Sequence, residues 1–281
     1  MAVVDDLSSG RLENLSPAAS FHRLDICDSA MEQVLAREKP HLVCHHAAQV
    51  DLPTSLRQPE VDLRTNVVGL VRLASACLNH GVEMFVFASS GGAIYGEPDR
   101  NPVSEFAPAR PLSPNDINKL AGELYLLYLE AVHKLPVRIL RYANVYGPRQ
   151  VPHGEAAVVA VFAEAMLEGR RPRIFGDGSQ QRDFVYVGDV VRAVLRAPEA
   201  PNSDPLNIGT GTLTSVNDLY QAMADVTGFR EPPIHAGPRP GEVHAISLDV
   251  SRARERLGWR PEIGLMEGLR LTVAHAAGKL A

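Results

Sequence analysis

Five short apolar or β-branched runs in the first half of this 281-residue chain are separated by longer stretches of helical period. That alternation predicts βαβ units wound on a parallel sheet. The runs are Ala2 to Asp5, Phe21 to Leu24, His41 to His45, Met84 to Ala88 and Val137 to Arg141. Helical period fills Ser29 to Arg37, Val61 to Asn79 and Pro114 to His133, the last opened by Ser113 as cap with Pro114 in its first turn. The first half therefore reads as a doubly wound α/β structure.

After Gly147 the texture changes. Pro and Gly become frequent, strands shorten, and turn signals such as GDGS at Gly176 to Ser179 appear. Helices are expected over Ala156 to Glu168, Val187 to Arg196, Ser215 to Thr227 and Ser251 to Leu257. The expected division is a Rossmann-like domain over 1–147 and a smaller α/β substrate domain over 148–281, with the stretch near 184–200 packing back on the first. A hydrophobic content of 45% is enough for a sizeable core.

Charge and cysteine usage narrow the function. A net charge of -5 without a long Lys/Arg run argues against a nucleic-acid partner, because no such run offers an electrostatic footprint for a phosphate backbone. No apolar run approaches the roughly 20 residues of a membrane helix, and MAVVDDLSSG lacks a charged-then-apolar leader pattern, so a cytoplasmic, membrane-free protein is expected. Cys27, Cys44 and Cys77 are odd in number and form no CxxC pair, which predicts buried free thiols and no metal site. His45 and His46, adjacent on a strand, point to opposite faces and cannot share a metal.

The chemistry is concentrated in a few runs: SSGGAIYG from Ser89, SPNDINKLAGE from Ser113, HHAAQV from His45, RTNVVG around Asn66 and RYANVYGPRQ from Arg141. Later come FGDGSQQRDFVYVGDV with Arg182, NIGTG from Asn207, RPGEV with Arg239 and LGWRP from Leu257. Together these resemble the extended short-chain dehydrogenase/reductases of the NAD-dependent epimerase/dehydratase family, especially sugar-nucleotide epimerases of the UDP-glucose 4-epimerase type. The resemblance runs from Asp5 to Pro261.

The resemblance implies NAD as cofactor, a UDP-sugar as substrate and a homodimer formed through helices near Arg64 to Asn79 and Pro114 to His133. On the cofactor side it assigns Asp5 to the adenosine ribose and Asp25 with Ile26 to the adenine. Ala47, Ala48 and Gln49 line the cofactor, Asn66 lies near the nicotinamide side, and Ser89, Lys119 and Tyr142 complete the nicotinamide end. On the substrate side it assigns Ser90 to the sugar hydroxyl and Asn144, Arg182 and Arg239 to the diphosphate, where guanidinium forks suit phosphate oxygens. The stretch from Gly154 to Gly169 resembles the part that closes over the nucleotide base.

Two departures stand out. The family reaction needs a tyrosine base four residues before the lysine, on the same helix face, where the lysine's charge makes the phenol acidic. Asn115 holds that place before Lys119, and its amide cannot ionise near pH 7. Asp116 stands where glycine is usual, and none of the seven tyrosines is followed four residues later by lysine. Secondly, AVVDD resembles the family's second strand, so the glycine-rich phosphate turn and its strand–turn–helix unit, roughly 30 residues, are not in the sequence. A fragment or mis-started reading frame is the expectation. Loss of that strand is expected to expose backbone groups of its neighbours.

Three readings follow. The first is an NAD-dependent nucleotide-sugar epimerase of impaired activity. The second is a non-catalytic nucleotide-sugar-binding relative. The third, a sugar-nucleotide 4,6-dehydratase, ranks behind the epimerase because dehydratases place an acidic pair where Gly91 and Gly92 stand. Restoring tyrosine at 115 alone is not expected to rescue turnover, whereas restoring both features is.

Overall fold

The computed structural model describes residues 1–152, 157–239 and 243–278. Along the chain run β1 (Ala2–Asp5), β2 (Ser20–Arg23), α1 (Met31–Glu38), β3 (Leu42–His45), α2 (Leu52–Arg57), α3 (Pro59–Leu63), a π-helical turn (Arg64–Gly69) and α4 (Leu70–Asn79). There follow β4 (Met84–Ser90), α5 (Gly91–Ile94), α6 (Pro114–His133), β5 (Val137–Tyr142), β6 (Asn144–Tyr146), α7 (Val158–Leu167), β7 (Arg173–Phe175) and β8 (Gln181–Arg182). The remainder is β9 (Phe184–Tyr186), α8 (Val187–Arg196), β10 (Leu206–Ile208), β11 (Thr214–Ser215), α9 (Val216–Thr227), β12 (Ile234–Ala236), β13 (Ala245–Ile246), α10 (Ser251–Leu257) and α11 (Leu265–Ala276).

The α/β, Rossmann-like class expected from the alternation is observed. Strands β3, β4, β5 and β10 lie in that order in one sheet, while β1 and β2 pair in parallel as a separate two-stranded sheet. By contact the chain forms two units interleaved in sequence. The first is Met1–Ser89, Ser113–Ile139 and Asn202–Asp204, and the second is Ser90–Leu112, Leu140–Pro201 and Pro205–Ala281.

In the first unit β3 and β4 run parallel from Leu42↔Met84 to His45↔Phe87. Helix α4 turns Leu70, Leu73, Ala74 and Cys77 onto one face, the i, i+3, i+4, i+7 pattern of a buried stripe. These pack with Phe85, Phe87, Leu126, Leu129 and Val137 in a single core. Gly122 lets α6 approach closely, since a Cβ there would sit 2.7 Å from Leu70 Cδ2. Each leucine fully buried in such a core contributes about 1.5–3 kcal/mol.

Helix α6 begins and ends where its residues dictate. The Ser113 hydroxyl accepts from the Asp116 amide and the Asp116 carboxylate accepts from the Ser113 amide, a reciprocal capping box with Pro114 in the first turn. The helix stops at Lys134, which adopts a left-handed conformation.

Two local expectations are corrected. The stretch expected as one helix from Val61 to Asn79 is divided into α3, a π-helical turn and α4. The wide turn carries Asn66, whose side chain is bonded to Gln49 and Asp62. Cys27 and Cys77 are buried free thiols, but Cys44 is exposed. On β3 Cys44 shares a face with Leu42, which is also exposed, while the alternate residue His45 is buried.

The second unit has its own core, in which Phe162, Met166, Ile174, Phe184, Leu219, Met223 and Leu269 pack around α7, α9 and α11. Strand β6 pairs in parallel with β9, the second half of β5 with β10, and β8 lies between β11 and β13. No helix among the described residues is long and apolar enough to cross a membrane.

Candidate active site

The first unit gathers much of its polarity between α3 and α6. Asp62, buried on α3, accepts through Oδ1 from Asn66 Nδ2 at 2.6 Å and Asn118 Nδ2 at 2.8 Å, and through Oδ2 from Asn115 Nδ2 at 3.1 Å. Asn115 Nδ2 also donates to the Gln49 carbonyl at 2.9 Å. Asn66 grips the backbone of the same residue: its Oδ1 accepts from the Gln49 amide and its Nδ2 donates to the Gln49 carbonyl, both at 2.9 Å. The chain after β3, carrying Ala47, Ala48 and Gln49, is thereby pinned to two helices.

One turn beyond Asn115, the Lys119 amine donates to the Ala88 carbonyl at 2.9 Å and lies 5.2 Å from the centre of the Phe87 ring. One turn further, Glu123 is buried and accepts the Ser89 hydroxyl hydrogen bond. Burial pushes the Lys119 amine down to about 8, against the opposing pull of the Asp62 and Glu123 carboxylates. His45, buried against Phe85 and Phe87, is driven down to about 3 by burial and then by the positive charge of Lys119.

At the other strand ends of this unit, the loop after β1 folds back on Asp5. The Asp5 carboxylate accepts from the Leu7 amide at 2.7 Å, and a Cβ on Gly10 would lie 2.7 Å from Asp5 Oδ1. Asp25 follows β2 and accepts from the Cys27 amide at 2.8 Å, with Arg64 at 3.5 Å from its second oxygen. Ile26 beside it is buried, and its Cδ1 would stand 2.9 Å from a Cβ on Gly69.

In the second unit Ser90 precedes α5 as its cap residue, with its hydroxyl unused in capping. Tyr142 ends β5 in register with Ile208, and Asn144 opens β6 with its amide donating to the Asp183 carbonyl at 2.9 Å. Arg182 Nη1 donates to the Gln181 carbonyl at 2.9 Å, and the Arg239 guanidinium lies 3.9 Å over the Phe175 ring. Of the stretch likened to a base-covering segment, residues 154–156 lie outside the described residues, as do 240–242 of RPGEV.

Sequence reasoning missed the carboxylates that organise both units. Asp62 and Asn66 are four apart, as are Lys119 and Glu123, the same spacing that drew attention to positions 115 and 119. In the second unit Asp183 is buried and accepts from Thr210 N, Thr210 Oγ1, Gly211 N and Leu248 N, all within 3.1 Å. Burial raises its pKa, and those donors oppose the rise.

Parallel strands β1 and β2 with Asp5 and Asp25 at their ends, and a buried lysine on α6 bonded to the end of β4, define a nucleotide-binding fold of the Rossmann class. The chain belongs to the NAD dependent epimerase/dehydratase family, whose profile matches residues 1–209, and its cofactor is NAD. It is 46% identical to a UDP-glucose 4-epimerase of Mycolicibacterium smegmatis over 282 residues, covering 98% of this chain and 90% of that one. Among solved structures it is similar to the UDP-glucose 4-epimerase of Thermotoga maritima with UDP-glucose, at 45% identity and a TM-score of 0.97 over 100% of this chain and 91% of that one. The Thermus thermophilus UDP-glucose 4-epimerase in complex with NAD matches at 40% identity and a TM-score of 0.94, over 99% and 91%.

Proposed function

We propose that the chain binds NAD and a UDP-sugar and carries the frame of a UDP-glucose/UDP-galactose 4-epimerase, with an amide in the proton-transfer position. The observation that carries this reading is the face of α6 on which Asn115, Lys119 and Glu123 succeed one another, laid against the end of β4. The relatives that support it act on UDP-glucose by their names and bind UDP-glucose or NAD in their crystals.

The residues of the first unit fit the cofactor. Asp5 ends β1, where a carboxylate suits ribose hydroxyls and favours NAD over a 2′-phosphorylated form, and Asp25 follows the adjacent parallel strand at the adenine end. Ile26, buried beside Asp25, belongs with it to the adenine end, Ala47, Ala48 and Gln49 line the cofactor, and Asn66 holds the Gln49 backbone. Lys119 and Ser89 serve the nicotinamide end. NAD held there would supply the hydride acceptor and donor that inversion at a sugar carbinol carbon requires.

The chain's own part is to bind the sugar hydroxyl and take its proton. Ser90 can hydrogen-bond that hydroxyl. Asn115 can offer its amide oxygen to it, but an amide cannot accept the proton and hold it. Loss of a positioned base costs about 10² to 10⁴ in rate, so epimerisation is slow. Asn144, Arg182 and Arg239 hold the substrate diphosphate.

Epimerisation is favoured over dehydration by the room around Gly91. A Cβ there would lie 2.5 Å from Leu248 Cδ1, so an acidic side chain of the kind a dehydratase carries after its serine would require the Leu248 side chain to shift. The binding-only reading is favoured by Asn115, whose amide nitrogen is committed to Gln49 and Asp62. Calorimetry with UDP-glucose and UDP-galactose, followed by chromatography of the sugar nucleotides after incubation with NAD, separates these readings. Interconversion supports the epimerase, binding without interconversion supports the non-catalytic relative, and the absence of both binding and interconversion overturns both.

A homodimer through the first unit is supported by exposed apolar residues along α6, namely Ile117, Leu124, Tyr128 and Val132. Sedimentation of the chain and of L124E tests it: the dimer predicts a concentration-dependent species that L124E abolishes.

A further inference from the structure

We propose that Glu123 is a positioning residue for Lys119, keeping the amine charged and seated at the end of β4. For its consequence in turnover this rests on the epimerase reading. The geometry is that of a two-point clasp. Residues four apart on α6 lie on one face, and here Lys119 and Glu123 engage consecutive residues of β4, the amine on the Ala88 carbonyl and the carboxylate on the Ser89 hydroxyl.

A buried ammonium is costly unless paired, and burial favours its neutral form. Two carboxylates flank it. Asp62, fully buried on α3 and bonded by three asparagine amides, is the stronger of the two in favouring the charged amine, and Glu123, 2% exposed, adds to it from Lys119's own helix. The remaining titratable groups facing the amine, His45 at the end of β3 and His46 just after it, are themselves driven toward the neutral form by burial and by Lys119. They supply no compensating negative charge. With an amide at position 115, Lys119 and Glu123 are the charged pair on that helix face, and Glu123 is placed to hold the ammonium.

The test reads Lys119 itself. In protein labelled with 13C at lysine Cε, the Lys119 resonance, assigned with K119R, is followed by NMR from pH 6 to 11. E123Q keeps the size and a hydrogen-bond acceptor for Ser89 but removes the charge, so the Lys119 midpoint should fall by about half a unit or more. S89A cuts the bond to Ser89 and keeps the carboxylate, so it should not lower the midpoint. Should E123Q not fold by circular dichroism, E123D draws the carboxylate back by one methylene and should lower the midpoint by a smaller amount. An unchanged or raised midpoint in the folded Glu123 variant, or an equal fall in S89A, overturns the proposal. These titrations need no turnover. Failure of the chain to bind UDP-sugar would overturn the epimerase reading and leave them standing.

Discussion

The Asn115 amide nitrogen sits 2.9 Å from the Gln49 carbonyl, so the side chain standing where a proton acceptor would be expected serves to tie α6 to the segment after β3. It makes the same tie to Asp62 at 3.1 Å. Position 115 is thus occupied by a structural donor, and its replacement has a stability effect separate from any effect on rate.

Replacing Asn115 by alanine leaves the Gln49 carbonyl with one donor fewer and Asp62 with one amide fewer. N115A should lower unfolding stability by about 1–2 kcal/mol. Urea denaturation with an unchanged slope and a lower midpoint is the expected result.

Asp62 is the larger hub, because three asparagine amides converge on it in a buried setting. D62A should cost about 3 kcal/mol or more, since it strands those donors away from water and removes one carboxylate from the neighbourhood of Lys119. The same urea titration measures it, and a loss no larger than that of N115A would count against the hub.

The alternating runs made much of the fold legible, because strand and helix periods and the Ser113–Pro114 start of α6 are local. The seam was not legible. Asn115 meets Asp62 across 53 residues and Ser89 meets Glu123 across 34, and no local pattern distinguishes a carboxylate with such partners from a solvated one. The π-helical turn was missed for the same reason. Its apolar period continues that of α4, and only the engagement of Asn66 with Gln49 and Asp62 distinguishes it.

His45 makes stability depend on acid. Its folded pKa is lowered to about 3 from 6.5, so as pH falls below about 6.5 the unfolded chain takes up a proton that the folded chain refuses. Its contribution is present above the unfolded value and is lost as pH falls toward 3, with a slope of up to about 1.4 kcal/mol per pH unit. Unfolding curves between pH 6.5 and 4 should show this slope reduced in H45F. An identical slope in the variant would remove His45 from the account.

The two arginines of the second unit are assigned to the same diphosphate but sit in different surroundings, Arg182 on β8 and Arg239 over Phe175. R182A and R239A should each weaken UDP binding by about 10- to 100-fold, the range for a charge-assisted hydrogen bond to phosphate. Calorimetry with UDP is the measurement, and affinities within twofold of the parent would discard the assignment.

The central claim is that this chain has the epimerase frame with its proton-transfer position silenced by Asn115. It is tested most directly by the rate of UDP-galactose to UDP-glucose conversion with NAD, in the chain joined to a strand–turn–helix unit bearing GxxGxxG, with and without N115Y. The account predicts that N115Y raises the rate by about 10² to 10⁴. Equal rates in the two proteins would contradict it.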